Sequence, residues 1–252
     1  MMAGMKLALL SDIHANLRAL QACLDHAHAE GATRYALLGD LVGYGAEPAA
    51  VVDTAIELAA AGATVLRGNH DDLAVTPPAQ ASTTGDQTAA WTHAQLDAGQ
   101  RRFLAGLPLT AALGSALLVH ASADAPADWH YVDNAQRAAR SLDGAGEGVR
   151  HVLGGHVHHQ RLYYRGSGRG LMEFVPTPGV AVPVPLHRQW LATVGSVGQP
   201  RDGDTRAMYA LFDAAQCRLT FHRVGYDHRA AAAAVRRAGQ PEYFASRLEE
   251  GR

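Results

Sequence analysis

Asp12 and His14 stand two residues apart, just where the apolar run Leu7 to Leu10 stops. In an extended segment alternate side chains share a face, so a carboxylate and an imidazole at this spacing could hold one metal ion. Taken alone, the tripeptide reads as a turn followed by a helix cap. Its recurrence reverses that reading. Apolar runs also end at Asp40, at Asn69 and His70, at His120, and at His156 and His158. Oxygen and imidazole donors without thiolate suit manganese, iron, zinc, cobalt or nickel better than calcium or a structural zinc cluster. The candidate ligands Asp12, His14, Asp40, Asn69, His120, His156 and His158 are too many for one ion. Two ions about 3.5 to 4 Å apart would share a carboxylate. Asp40, preceded by Gly39 and alone at the end of its run, is the natural bridge of such a dinuclear centre.

These residues need strands behind them and helices between them. Lys6–Leu10 and Arg34–Leu38 read as short strands, separated by an amphipathic helix from Asn16 to about Ala29 with Leu17, Leu20 and Leu24 on one stripe. Asn16 is its expected N-cap and Gly31 its stop. A helix from about Pro48 to Ala61 leads to a strand at Ala63–Leu66. Alternation of this length implies parallel strands joined by crossovers, and in open α/β sheets ligands bind beyond the carboxyl ends of such strands. Residues 72–87 are rich in Pro, Thr, Ser and Gln and read as a lid-like loop. Helical patterns follow at Thr88–Leu96 and Gly99–Leu107, a strand at Ala116–Val119, a helix around Asn134–Leu142 and a strand at Arg150–Leu153. From Arg161 to Val224 alternating runs predict a second, antiparallel sheet, interrupted by the loop Gly195–Gly203. The expectation is a single domain over residues 1–252, with C-terminal helices over 229–249 packed on it.

Composition bounds the function. The 252 residues are 48% hydrophobic with a formal net charge of −2, enough for a core and too little positive field for binding along duplex nucleic acid. A nuclease would need a basic groove with stacking aromatics, and 6% aromatic content argues against one. Cys23 and Cys217 make neither a disulfide framework nor a zinc spacing. No stretch resembles a signal peptide or a membrane span, so the expectation is a cytoplasmic protein with no membrane partner.

Asp12-Ile-His14, Gly39-Asp40, Gly68-Asn69-His70-Asp71, His120 and Gly155-His156-Val-His158, in this order, resemble the five motifs of the calcineurin-like metallophosphoesterases. The flanking segments Gly39–Gly45, Asp124–Tyr131 and Gly195–Asp204 extend the likeness to a bacterial branch of phosphodiesterases and diadenosine tetraphosphatases. The resemblance implies a four-layer α/β/β/α sandwich of two mixed sheets. It also implies one metal held by Asp12, His14, Asp40 and His158, and another by Asp40, Asn69, His120 and His156. His70 would sit beside the metals and assist the leaving group or the transition state. The chain departs from the pattern at Ala121, where glycine is common, and at Thr193-Val194, where Asn-Pro is frequent. Neither change removes a ligand.

The expected chemistry is hydrolysis of a phosphate mono- or diester. Two divalent or mixed-valence ions outweigh the charge of Asp12 and Asp40, attract phosphate and lower the pKa of bound water toward ~7 for in-line attack by hydroxide. His70 and the bridging Asp40 are then the catalytic residues. Tyr44 reads as pocket wall, His159 as a substrate contact beside two ligands, and Arg67, Arg161 or Arg201 as holders of a second phosphate. The substrate would be a small phosphorylated molecule, a nucleotide or dinucleoside polyphosphate among the alternatives. A non-catalytic metal-binding scaffold is the reading from another class; in such a protein the catalytic histidine is lost, whereas His70 is present here.

Overall fold

Leu7 and Leu9 occupy one face of the first strand and Ala8 and Leu10 the other, and all four are buried. A strand apolar on both faces must lie between two packed layers. The computed structural model, which describes residues 4–166 and 170–252, shows those layers. Strand β1 (Lys6–Leu10) runs parallel to β2 (Arg34–Leu38), and β2 parallel to β3 (Thr64–Leu66). Helices α1 (Leu17–Ala29) and α2 (Pro48–Ala60) form the crossovers. The Asn16 side chain caps α1 by accepting the Ala19 N–H at 3.2 Å.

Two mixed six-stranded sheets face each other. The first has the order β3-β2-β1-β11-β12-β9, where β9 is Ala181–Pro183, β11 Ala207–Asp213 and β12 Arg218–Val224. The second has the order β4-β5-β6-β10-β7-β8, built from Thr110–Leu113, Ala116–Val119, His151–Gly154, Trp190–Val194, Gln160–Arg165 and Leu171–Phe174 respectively. Leu7, Leu9 and Leu38 from the first sheet pack with Leu118, Leu153 and Val194 from the second. On the outer face of the first sheet, Ala8, Leu10 and Leu37 meet Leu20 and Cys23 of α1 and Val51, Val52 and Ala55 of α2. Outside the second sheet, Val152, Tyr163 and Leu191 meet Ala138 and Leu142 of α6 (Ala135–Gly144). The α/β/β/α order follows from these three apolar interfaces. Each fully buried leucine contributes roughly 1.5–3 kcal/mol. Helices α7 (His228–Arg237) and α8 (Glu242–Glu250) pack on each other and on Tyr44 and Ala46.

Three details differ from the sequence expectation. The stretch Arg161–Val224 does not form one antiparallel sheet, although its residues 167–169 lie outside the described residues. Strands β11 and β12 join the first sheet, with Leu9 opposite Ala210, while β10 runs parallel to β6 in the second. A strand such as β11, buried on both faces over most of its length, carries no pattern that says which sheet it completes. Strand β4 was not anticipated. Residues 72–87 are only half loop: α3 spans Asn69–Val75 and α4 Thr84–Gln95, the latter started by a capping box between Thr83 and Asp86. Among the described residues no helix is long and apolar enough to cross a membrane.

The connection 76–83 carries no regular structure and is largely exposed. Such segments open at the lowest local cost. Limited digestion with proteinase K is therefore expected to cut first within 76–83, with the fragments identified by mass. First cuts inside α3 or α4 would show that those helices, and not the connection, are the weak point.

Candidate active site

The five strand ends come from both sheets. Strands β1, β2 and β3 deliver Asp12, Asp40 and Asn69, while β5 and β6 deliver His120, His156 and His158. The chain after β1 is laced to the chain after β2: Asp12 N–H donates to Gly39 O at 3.1 Å, and the Ile13 and His14 N–H groups to Asp40 O at 2.9 and 3.0 Å. The second sheet is tied in by the His156 N–H, which donates to Asp12 Oδ2 at 2.8 Å.

Asp12 and His14 do not share a face through strand pleating, contrary to the sequence expectation. Asp12, His14, Asp40, His156 and His158 all have left-handed backbone, with φ of 54°, 49°, 53°, 68° and 58°. Non-glycine residues seldom adopt it, and each instance costs about 1–3 kcal/mol. The turns point these side chains back over the strand ends. Gly39 makes the closest approach possible: its φ is 91°, and a Cβ there would stand 2.7 Å from the Gly68 nitrogen and 2.8 Å from His120 Nδ1.

Carbonyl groups fix the imidazoles. His14 Nδ1 lies 3.2 Å from Val42 O, His120 Nδ1 2.8 Å from Leu38 O, and His158 Nδ1 2.6 Å from Gln199 O. A carbonyl only accepts, so each Nδ1 carries a proton and each Nε2 faces inward, where it offers a lone pair once deprotonated. His14 Nε2 and His158 Nε2 are 3.0 Å apart; His120 Nε2 lies 3.1 Å from His156 Nδ1 and 3.3 Å from Asn69 Oδ1. Asp12 Oδ1, buried and without a hydrogen bond, is 3.2 Å from His158 Nε2. Asp40 Oδ2 is 3.4 Å from His120 Nε2 and 3.8 Å from His14 Nε2. Lone pairs crowded this closely repel unless a proton or a metal cation lies among them. The donor set therefore fits a metal centre. Donor atoms within 4.8 Å of one another form two groups, Asp12 with Asp40, His120 and His156, and Asp12 with His14 and His158.

The carboxylates also draw positive charge into the cluster, which a proton on His120 can supply in place of a metal. Burial opposes charge on His120, yet the Asp40 and Asp12 carboxylates hold it up at about 9. His156, with burial and the neighbouring His120 against its charged form, falls to about 4. Burial also works against ionised Asp40 and Asp12, but the surrounding imidazoles keep both carboxyls well below the usual range.

His70 follows Asn69 in the first turn of α3, and its N–H donates to Asp40 Oδ1 at 2.8 Å. Its ring meets His14 edge-on at 5.1 Å and Tyr44 at 4.3 Å. Tyr44 lies 4.6 Å from the His14 ring and stacks on Phe244 of α8 at 4.8 Å, forming a wall of the site. Arg201 donates to Gln199 Oε1 at 2.9 Å, close to the cluster. Arg67 and His159 are placed elsewhere. Arg67 pairs with Asp72 at 3.2 Å and reaches Ala105 O. His159 Nδ1 donates to Val157 O at 2.8 Å, and its ring lines a hollow with Val132, Asp133 and Arg161. Ala121, next to His120 in the chain, is buried.

Sequence reasoning missed several residues around the cluster. Asp71, present in the third motif without a role, accepts N–H groups from Asp40, Leu41, Val42 and Gly68 at 2.9, 2.9, 3.3 and 2.8 Å. Burial and the Asp40 charge push it up to about 7 against these donors. Tyr131 lays its half-exposed ring on His156 at 4.2 Å, and Trp129 stands 5.8 Å from His120. Gln199 and Arg247 carried no local signal, being brought to the site by the distant loop and by α8.

Fold and donors together define a metal-dependent hydrolase of phosphoric esters that acts on small phosphorylated substrates. The chain belongs to the calcineurin-like phosphoesterase superfamily, whose domain model matches residues 5–216. It resembles a metallophosphoesterase from Sphaerobacter thermophilus, with 33% identity and a TM-score of 0.86 over 99% of this chain and 100% of that one. A hypothetical protein from Pyrococcus horikoshii shares the fold at 20% identity and a TM-score of 0.77, over 98% and 99% of the two chains. An uncharacterized protein of Methanocaldococcus jannaschii is 29% identical over 252 residues, 98% of each chain.

Asp71 links the β2 and β3 ends through its four acceptor contacts. Asp71→Asn puts an amide against N–H donors and is expected to destabilise the protein by about 2–4 kcal/mol, read from denaturant unfolding of the metal-free chain. A stability equal to the parent's would mean that the carboxylate does not hold the two loops.

Proposed function

We propose that the chain is a dinuclear phosphoesterase, using two ions drawn from manganese, iron, zinc, cobalt or nickel to hydrolyse a phosphate mono- or diester. Asp12, His14, Asp40 and His158 hold one ion, and Asp40, Asn69, His120 and His156 the other. The observation that carries this reading is the 3.0 Å approach of His14 Nε2 to His158 Nε2, with both Nδ1 protons already given to carbonyls. Asp40 Oδ2, near both His14 and His120, supports its role as the shared ligand. Asp12, common to both donor groups, is the rival bridge.

When bound, the ions neutralise phosphoryl oxygens and make an ionised water available near neutral pH. The protein contributes the rest. The Nδ1–carbonyl bonds hold three imidazoles in one tautomer, so that no reorganisation is needed as charge develops. His70 lies over the open side, where its ring reaches the leaving oxygen. Burial keeps the His70 pKa below its ordinary value, so the ring enters as a neutral hydrogen-bond donor, and an arriving anionic phosphoryl group raises that pKa. Tyr44, its hydroxyl pushed up to about 12 chiefly by burial, stays un-ionised and closes one wall. A dinucleoside polyphosphate is the second reading, favoured by the exposed Tyr131 ring over His156, which offers a flat face to a base.

Metal-reconstituted protein is to be screened with para-nitrophenyl phosphate, its bis diester and diadenosine tetraphosphate. Absence of turnover with all three would overturn the hydrolytic reading for these substrate classes. Asp40→Asn is expected to lower occupancy of both ions in elemental analysis, whereas His14→Ala chiefly empties one. Full retention in Asp40→Asn would transfer the bridging role to Asp12.

His70→Ala is expected to keep both ions and to cut kcat by about 10²- to 10⁴-fold with a poor leaving group. With para-nitrophenolate, which needs little protonation, the loss should be much smaller. Equal losses with the two leaving groups would rule out general-acid assistance and assign His70 to stabilising the phosphoryl oxygens.

A further inference from the structure

Gln199 connects the cluster to something the metal ligands do not account for. Its backbone carbonyl accepts His158 Nδ1–H at 2.6 Å, while its side-chain Oε1 accepts Arg201 Nε at 3.2 Å, Arg201 Nη2 at 2.9 Å and Arg247 Nη1 at 3.4 Å. Two guanidinium groups thus share one neutral amide oxygen, a single glutamine side chain away from a cluster histidine. Both are half-buried. Among the described residues neither has an ion-pair partner, although Arg18, Arg165, Arg206, Arg223 and Arg236 all pair with carboxylates. Arg247 instead lies 4.9 Å over the Tyr243 ring, which holds a cation without neutralising it.

Helix α8 sets this arrangement. Phe244 is buried and stacks on Tyr44, itself against His14, and Arg247 lies three residues further along the same helix face. Burial and the adjacent Arg201 charge depress Arg247 below the ordinary arginine value. Like charges held together at reduced solvation are unfavourable unless an anion is bound. Paired guanidinium forks match phosphate oxygens.

We propose that Arg201 and Arg247 form a second anion subsite beside the metal centre, which holds the non-reacting phosphate of an organic diphosphate. The proposal rests on the phosphoesterase reading for the position of the reacting phosphate. With adenosine diphosphate the β-phosphate occupies the metal centre and the α-phosphate the arginine pair. Water then forms a bond to the β-phosphorus as the bridging oxygen leaves on the α-phosphate, giving adenosine monophosphate and inorganic phosphate. Substrates with one phosphate leave the pair unfilled.

The test compares metal-loaded parent, Arg247→Gln, Arg201→Gln and the charge reversal Arg247→Glu on adenosine diphosphate and on para-nitrophenyl phosphate. Circular dichroism and metal content establish that each variant is folded and loaded. Losing a charged hydrogen bond to phosphate is expected to lower kcat/KM for the diphosphate by about 10- to 100-fold, mostly through KM. The loss with para-nitrophenyl phosphate should stay within about threefold. Calorimetric binding of adenosine 5′-(α,β-methylene)diphosphate, which does not turn over at the bridging position, should weaken in parallel and most in Arg247→Glu. Equal losses on both substrates, or unchanged affinity for the analogue in Arg247→Glu, would overturn the subsite. If the parent turned over neither substrate yet bound the analogue through Arg247, the hydrolytic reading would fail and the subsite would stand.

Discussion

Imidazole nitrogens and carboxylate oxygens crowded into one buried place form the constraint on which the surrounding structure depends. Asp12 Oδ1 has no hydrogen-bond partner, and two Nε2 atoms face each other at 3.0 Å. Such an arrangement is costly in a buried place. It persists because both sheets and their strand-end loops are committed to it: five candidate ligands are held in left-handed backbone, and each of three imidazoles is locked by a carbonyl. At about 1–3 kcal/mol for each strained residue, the local conformation could not survive on isolated loops. The apolar layer between the sheets, with Leu7, Leu9, Leu38, Leu118 and Leu153 fully or nearly fully buried, holds the strand ends at fixed separation and offsets that strain.

The seam between the two sheets explains why charge can be retained there. Asp12 accepts the His156 N–H from the second sheet while its backbone carbonyl accepts from Ser196 Oγ and the Gly198 N–H. Asp71 binds the β2 and β3 ends together through backbone N–H groups. Asp71 therefore acts on the site by holding the Asp40 and Gly68 backbone, without offering its own oxygens to the cluster. Buried carboxylates are tolerable only with such donors or with cations, and this region supplies the donors on one side and the space for cations on the other.

Much of this was legible in the sequence because strand ends and helix caps are local. The boundaries of β1, β2 and β5, the Asn16 cap and the position of every candidate ligand followed from where apolar runs stopped. Long-range pairing was not legible. Strand β11 is apolar on both faces, so nothing in it distinguishes joining β1 from joining β7. The 72–87 stretch reads as loop because it holds only the end of one helix and the start of the next, in polar surroundings. The side-chain directions at Asp12 and His14 were expected from strand pleating, whereas left-handed turns produce them. That distinction lies in backbone angles that non-glycine residues rarely reveal.

Under the proposed function, reaction chemistry and substrate choice fall to different parts of the chain. Atoms that would meet the reacting phosphate come from loops pinned by both sheets, where a small displacement would break several hydrogen bonds at once. The walls come from elsewhere: Tyr44 from the loop after β2, Tyr131 and Trp129 from the segment before α6, and Phe244 and Arg247 from α8. These elements contact the cluster through aromatic rings and one shared glutamine and supply none of its donor atoms. Tyr44 is the point of contact between the two parts, since its ring touches His14 and His70 on one side and Phe244 on the other. A shift of α8 would therefore move Arg247 and the site wall together, which under the proposed reading couples the fit of the distant part of a substrate to the packing around its reacting phosphate.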